Sequence, residues 1–163
     1  PLSTDSEITQ AFFLRDWPLI LARIPTAKIF VATGERKFHT KSLQIDDELP
    51  LIASYNADIL SGEVNSEIGA LLNSPTAAKE LTSYFEHDYA NPANGFLEYK
   101  IKKDETGKAI LKDGEPQIEF GPHDHLSPEI IEHYRKKCDM VDMLRTRLPM
   151  FKPLQHPRKL TQT

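Results

Sequence analysis

LSPEIIEHYRKKCDMVDMLRTRL, residues 126–148, is the stretch from which the fold class is read. Ser127 is placed to accept from an open amide of a first helical turn, and Pro128 at the first helical position loses nothing by lacking an N–H. Leu126 and Ile131 have the spacing of a hydrophobic staple. Ile130, Tyr134, Cys138, Val141, Leu144 and Leu148 then recur every three or four residues, which puts them on one side of a helix. Pro149 stops it. The expectation is a long C-terminal core helix with most of the domain packed on that stripe.

Upstream of it the apolar period changes from helical to two. Leu97, Tyr99 and Ile101 alternate with Glu98, Lys100 and Lys102, the pattern of a strand with one wet face. Turns at residues 104–107 and at Asp113-Gly114 separate this run from 109–111 and 117–120, which predicts a three-stranded antiparallel meander. Nearer the N-terminus, residues 27–33 and 38–45 flank Gly34 and predict a hairpin, with a bulge near Lys41-Ser42.

Helical signals fill the remainder. Asp46-Asp47-Glu48 reads as acidic capping of a helix from Leu49 to Ser61 stopped by Gly62. Asn65 opens a short helix carrying Ile68, Leu71 and Leu72. Ser74-Pro75 opens another, with Ala77, Ala78, Leu81, Tyr84 and Phe85 inward. At the start, a helix through Ile8, Ala11 and Phe12 is expected to break at Trp17-Pro18, because a residue before proline is pushed out of the α region. A second short helix, residues 19–24, follows. Phe12, Phe13, Trp17, Leu19, Ile20, Leu21 and Ile24 make the densest apolar cluster in the chain. Strands and helices in blocks, rather than strict βαβ alternation, predict an α+β fold. Its antiparallel sheet comprises the N-terminal hairpin and the C-terminal meander, packed with several short helices and one long C-terminal helix.

The 163 residues suffice for one globular domain, expected at 1–148. Residues 149–163 hold Pro153 and Pro157 and no acidic side chain, so an extended basic arm is expected there. A single cysteine, Cys138, excludes an internal disulfide and sits on the apolar stripe as a small hydrophobe. No apolar run approaches the roughly 18 residues that cross a bilayer, so a cytoplasmic protein without membrane contact is expected. The net charge of −4 hides an asymmetry. Residues 1–134 hold 12 Lys/Arg against 22 Asp/Glu, whereas residues 135–163 hold eight against two.

Three sets of residues invite chemistry. His123, Asp124 and His125 join two imidazoles and a carboxylate, ligands suited to zinc, where a strand hands over to the main helix. Neighbours in sequence point apart, so a shared ion needs a distant ligand such as His39, His87 or Asp88. Asp124 is otherwise accounted for by its place before a helix N-terminus. Glu98-Tyr99-Lys100 matches half of a metal-dependent nuclease pattern, although Glu-x-Lys arises freely on a solvated strand face. Phosphate-cradling Gly-rich loops, Gly-x-Ser-x-Gly elbows, Cys-x-x-Cys pairs and His-Glu-x-x-His helices are all missing.

That missing grammar and the charge split favour a non-catalytic binding or assembly subunit with no cofactor. Its partner, an acidic protein or sister subunit, would meet Arg145, Arg147, Lys152, Arg158 and Lys159, with Met150 and Phe151 as an apolar anchor. The alternatives are a metal-dependent hydrolase or nuclease built on His123, Asp124 and His125, and a nucleic-acid-binding module. The last is disfavoured by a pI near 5.9 and by aromatics that do not interleave with the basic residues.

Overall fold

The computed structural model describes residues 7–33, 39–55 and 66–147, and these form an α+β protein of antiparallel strands and helices. Residues 1–35 and 97–163 belong to one compact unit, and residues 36–96 to a second. Residues 149–163 of the expected arm lie outside the described residues.

The first unit is built around helix α1 (Glu7–Arg23), which has an acidic residue in its first turn and a basic one in its last, as the helix dipole favours. The helix runs straight through Trp17-Pro18, contrary to the expected break. Pro18 forfeits a backbone bond at a local cost of about 3 kcal/mol. Burial of Trp17 and Leu21, each worth about 1.5–3 kcal/mol, outweighs it. These two side chains form the core with Val31, Tyr99 and Ile101. Val31 comes from strand β1 (Ile29–Ala32); Tyr99 and Ile101 come from β5 (Phe96–Ile101), whose alternation with exposed Lys100 is as expected. Strand β8 (Ile118–Phe120) completes a three-stranded sheet in the order β1-β5-β8, with β8 antiparallel to β5 and a register shift between Lys100 and Ile101. The short strands β6 (Leu111–Lys112) and β7 (Glu115–Pro116) pair across Asp113-Gly114. Asp113 and Gly114 both take positive φ, 55° and 83°, as a two-residue turn of this hand demands.

The C-terminal helix, here α3 (Pro128–Arg147), starts as expected, with Ser127 Oγ accepting from the Ile130 amide at 3.4 Å. Its burial is shallower than its stripe implies. Tyr134 and Cys138 are buried against Ala11 of α1, but Leu144 is 40% exposed. The Cys138 thiol donates to the Ala11 carbonyl at 3.0 Å, and Arg15 Nη1 reaches both Asp142 carboxylate oxygens at 3.2 and 3.3 Å. The centre of the unit is therefore α1, and α3 is its neighbour.

In the second unit, β2 (Ser42–Ile45), β3 (Leu49–Ala53) and β4 (Gly69–Leu71) form an antiparallel sheet. This corrects two expectations. Of the expected hairpin over 27–33 and 38–45, the described strands are not partners, since β1 lies beside β5 and β2 pairs with β3, and its turn at 34–38 lies outside the described residues. Residues 49–53 and 69–71 are strands rather than helices. The acidic triplet that looked like a helix cap is the hairpin turn, with Asp46 at φ 49°, a conformation aspartate tolerates. Pairing of Leu51 with Leu43 and Leu71 across the sheet outweighs the local helical pattern. Helix α2 (Pro75–Ala90) follows its expected device, Ser74 Oγ accepting from the Ala77 amide at 3.3 Å with Pro75 next. Gln44 Nε2 donates to Thr82 Oγ1 at 2.7 Å and ties α2 to β2, while Tyr84, expected inward, is 69% exposed.

Candidate functional site

The cluster at 123–125 does not converge. Residues 122–124 make one 3₁₀ turn, in which the Asp124 carboxylate accepts from the Gly121 amide at 2.7 Å. His123 is exposed, while His125 Nε2 lies 2.7 Å from the Tyr99 hydroxyl. Loss of water around His125 lowers its pKa, and burial pushes the Tyr99 phenol up to about 12, so the pair is uncharged at neutral pH. Among the described residues no three His, Cys, Asp or Glu side chains are grouped to hold a metal ion. Lys100 Nζ stands 3.4 Å from Glu98, a solvated pair on the wet strand face. Arg145 and Arg147 fall in the last turn of α3, and Arg147 is exposed; Met150, Phe151, Lys152, Arg158 and Lys159 lie outside the described residues.

A different set lies at one end of the β2-β3-β4 sheet. The Ala53 amide donates to the Lys41 carbonyl at 2.9 Å, which carries the β2–β3 ladder one residue past the start of β2. His39 and Lys41 are two apart in the segment that leads into β2. His39 is exposed, and Lys41 Nζ donates to the His39 carbonyl at 3.1 Å, holding the ammonium beside the residue that carries the imidazole.

Across the ladder, Ser54 follows Ala53 directly. Its hydroxyl donates to the Glu67 carboxylate and accepts from the Ile68 amide at 3.0 Å, while the Ser54 amide donates to the Ile68 carbonyl at 2.8 Å. The start of β2, the end of β3 and the start of β4 thus place His39, Lys41, Ser54 and Glu67 at one end of the sheet. An imidazole can attack an electrophilic centre or move a proton near neutrality, and an ammonium can balance charge on an oxyanion.

Sequence reasoning named His39 only as a spare metal ligand and passed over Lys41, Ser54 and Glu67. The legible signal was His39-Thr40-Lys41 leading into an apolar strand, two chemical side chains at strand spacing. Ser54 and Glu67 carry no such signal, because only the β3–β4 pairing brings them there.

Residues 15–89 match the family described as "Cardiolipin synthase, PLD-like domain". The chain is also 44% identical over 50 residues to cardiolipin synthase 1 from two strains of Staphylococcus epidermidis, ATCC 35984 and ATCC 12228. The aligned stretch covers 31% of this chain and only 10% of each relative. No solved structure matches the chain significantly. These matches, to a family and to relatives that are named as enzymes, overturn the reading of the chain as a non-catalytic assembly subunit. The inference failed because Gly-rich loops, nucleophile elbows and metal motifs are the marks of particular chemistries. An imidazole and an ammonium on a strand need none of them.

Proposed function

We propose that this chain contributes a site for phosphodiester exchange on a phospholipid, with His39 as the attacking group and Lys41 as the partner of the phosphate oxygens. The observation that carries this reading is that the match over residues 15–89 encloses all four residues at this end of the sheet, His39, Lys41, Ser54 and Glu67. A cardiolipin synthase must form a phosphodiester between a phosphatidyl group and an alcohol. Attack by a His39 ring nitrogen on phosphorus forms a P–N bond and breaks the P–O bond to the leaving alcohol, which takes up a proton. An incoming hydroxyl then attacks the same phosphorus, releases the imidazole and gives up its proton, so the exchange balances. Lys41 offsets the negative charge that gathers on the non-bridging oxygens. Glu67 steadies Ser54 at the end of β3, and with it the strand lead that carries His39. A lipid substrate brings the chain to a bilayer surface; no helix among the described residues is long and apolar enough to cross one.

The test is incubation with phosphatidylglycerol vesicles, following released glycerol and newly formed cardiolipin by mass spectrometry. The expected result is turnover that falls at least about 100-fold in His39→Asn. Circular dichroism should be unaltered, because the side chain is exposed. An inactive parent chain, or full turnover in the variant, refutes the reading.

A further inference from the structure

The β2-β3-β4 sheet of the second unit has one covered face and one open one. Side chains alternate along a strand, and the register puts Gln44 and Pro50 on a common face. Helix α2 lies on that side, bonded through Gln44 and Thr82, and Pro50 is fully buried. The opposite face carries Leu43, Ile45, Leu49, Leu51 and Leu71, and the three strands bring no polar side chain to it. Leu43, Ile45 and Leu71 are 53%, 47% and 59% exposed.

This face begins at the candidate site. Ala53 and Gly69 are its last partners, at the end of the sheet where Ser54 and Glu67 lie. Both are small: a Cβ on Gly69 would stand 3.3 Å from Leu51 Cδ1 and 3.4 Å from Ala53 Cβ, so no bulky side chain of β3 or β4 stands between the site and the leucines. The size of the face selects among occupants. Strands of four, five and three residues cover about 15 by 15 Å, on the order of 200 Å². A second copy would need about 800 Å² from each partner. The face is too small for that and long enough for a hydrocarbon chain laid along the strands.

Resting on the phospholipid reading above, we propose that this open face holds an acyl chain of the lipid whose phosphate meets His39 and Lys41. The chain runs from Ala53 and Gly69 over Leu43, Leu51 and Leu71 toward Ile45 and Leu49. A hydrocarbon needs no hydrogen-bond partner, and burying it against apolar side chains is favourable in itself.

Lysophosphatidylglycerols with one saturated chain of six, eight or ten carbons, kept monomeric, are the probes, and glycerol phosphate is the chainless control. Titrated into the intact chain carrying ¹³C-labelled methyl groups, the lipids should shift the Leu43, Ile45 and Leu71 methyls saturably by NMR. Glycerol phosphate should leave them unmoved. Full burial of a methylene is worth about fourfold in binding, so contact on one side should give about twofold per methylene. Leu71→Thr, at an exposed position, should weaken binding of the ten-carbon lipid at least about threefold with circular dichroism unchanged. Unmoved methyls, equal affinity at all chain lengths, undiminished binding in Leu71→Thr, or methyl shifts that follow protein concentration without lipid, as a second copy would cause, overturn the proposal. The chain-length series in the parent decides the matter even if the variant misfolds. The readout needs no turnover: an inactive chain whose methyls answer to chain length refutes the catalytic reading and supports the acyl face, and an active chain with silent methyls does the reverse.

Discussion

Gly121→Ala is the sharpest probe of how the first unit is packed. Gly121 sits at φ −169°, extended backbone open to any residue, so the effect of an added methyl is steric. An ideal Cβ there stands 2.7 Å from Trp17 Cζ2 and 3.2 Å from both Trp17 Cη2 and Ile118 Cγ2. Trp17 is fully buried and its ring lies 4.8 Å from that of Tyr99, so it cannot yield without disturbing the core. Overpacking of this kind costs about 1–3 kcal/mol. Loss of glycine's freedom in the unfolded chain returns about 0.4–1 kcal/mol, leaving a net destabilisation of up to about 2.5 kcal/mol. Trp17→Phe deletes the two ring atoms that the methyl strikes. It also deletes the Trp17 N–H, which is buried with no partner among the described residues. In that background Gly121→Ala should be close to neutral, a coupling of at least about 1 kcal/mol. Urea unfolding followed by far-ultraviolet circular dichroism measures all four chains; fluorescence is unsuitable because Trp17 is the sole tryptophan. Equal costs of Gly121→Ala in the two backgrounds, to within about 0.3 kcal/mol, would refute the packing argument.

Two titrations test the electrostatics. With Tyr99 pushed up to about 12 by burial, against about 10 unfolded, its contribution to stability is complete below pH 10 and is lost as pH rises from there to about 12. Phenolate absorbance should show one late tyrosine that disappears in Tyr99→Phe, and a spectrum in which all tyrosines ionise together would rule this out. The Asp104 carboxylate is held below its ordinary range chiefly by the Thr106 hydroxyl at 2.7 Å, with the Lys108 amide at 3.0 Å assisting. A lowered carboxylate pKa contributes stability above the unfolded value and loses it as pH falls through the folded one. Thr106→Ala should move the Asp104 carboxyl midpoint upward by NMR, and an unmoved midpoint would assign the shift elsewhere.

What could be read from the residues was what short-range chemistry decides. Ser127-Pro128 and Ser74-Pro75 opened helices because a hydroxyl cap and a proline act within one turn. The strand through Tyr99 and Ile101 declared itself by its two-residue period, and Asp113-Gly114 by a turn few other pairs can make. The α+β class followed from the order of these signals. Residues 49–53 and 69–71 were misread as helix because apolar residues at short range fit either period. Their state was decided by cross-strand partners on β2, β3 and β4. Pro18 was misjudged for the same reason, since the burial that keeps α1 continuous comes from β1 and β5. The candidate site followed suit: His39 and Lys41 were visible as a strand-spaced pair, but Ser54 and Glu67 join them only through the ladder. Caps, turns and periods are properties of a few consecutive residues and are written in the chain. Strand partnership, burial and the meeting of distant side chains depend on what else the chain brings alongside, and only the tertiary structure decides them.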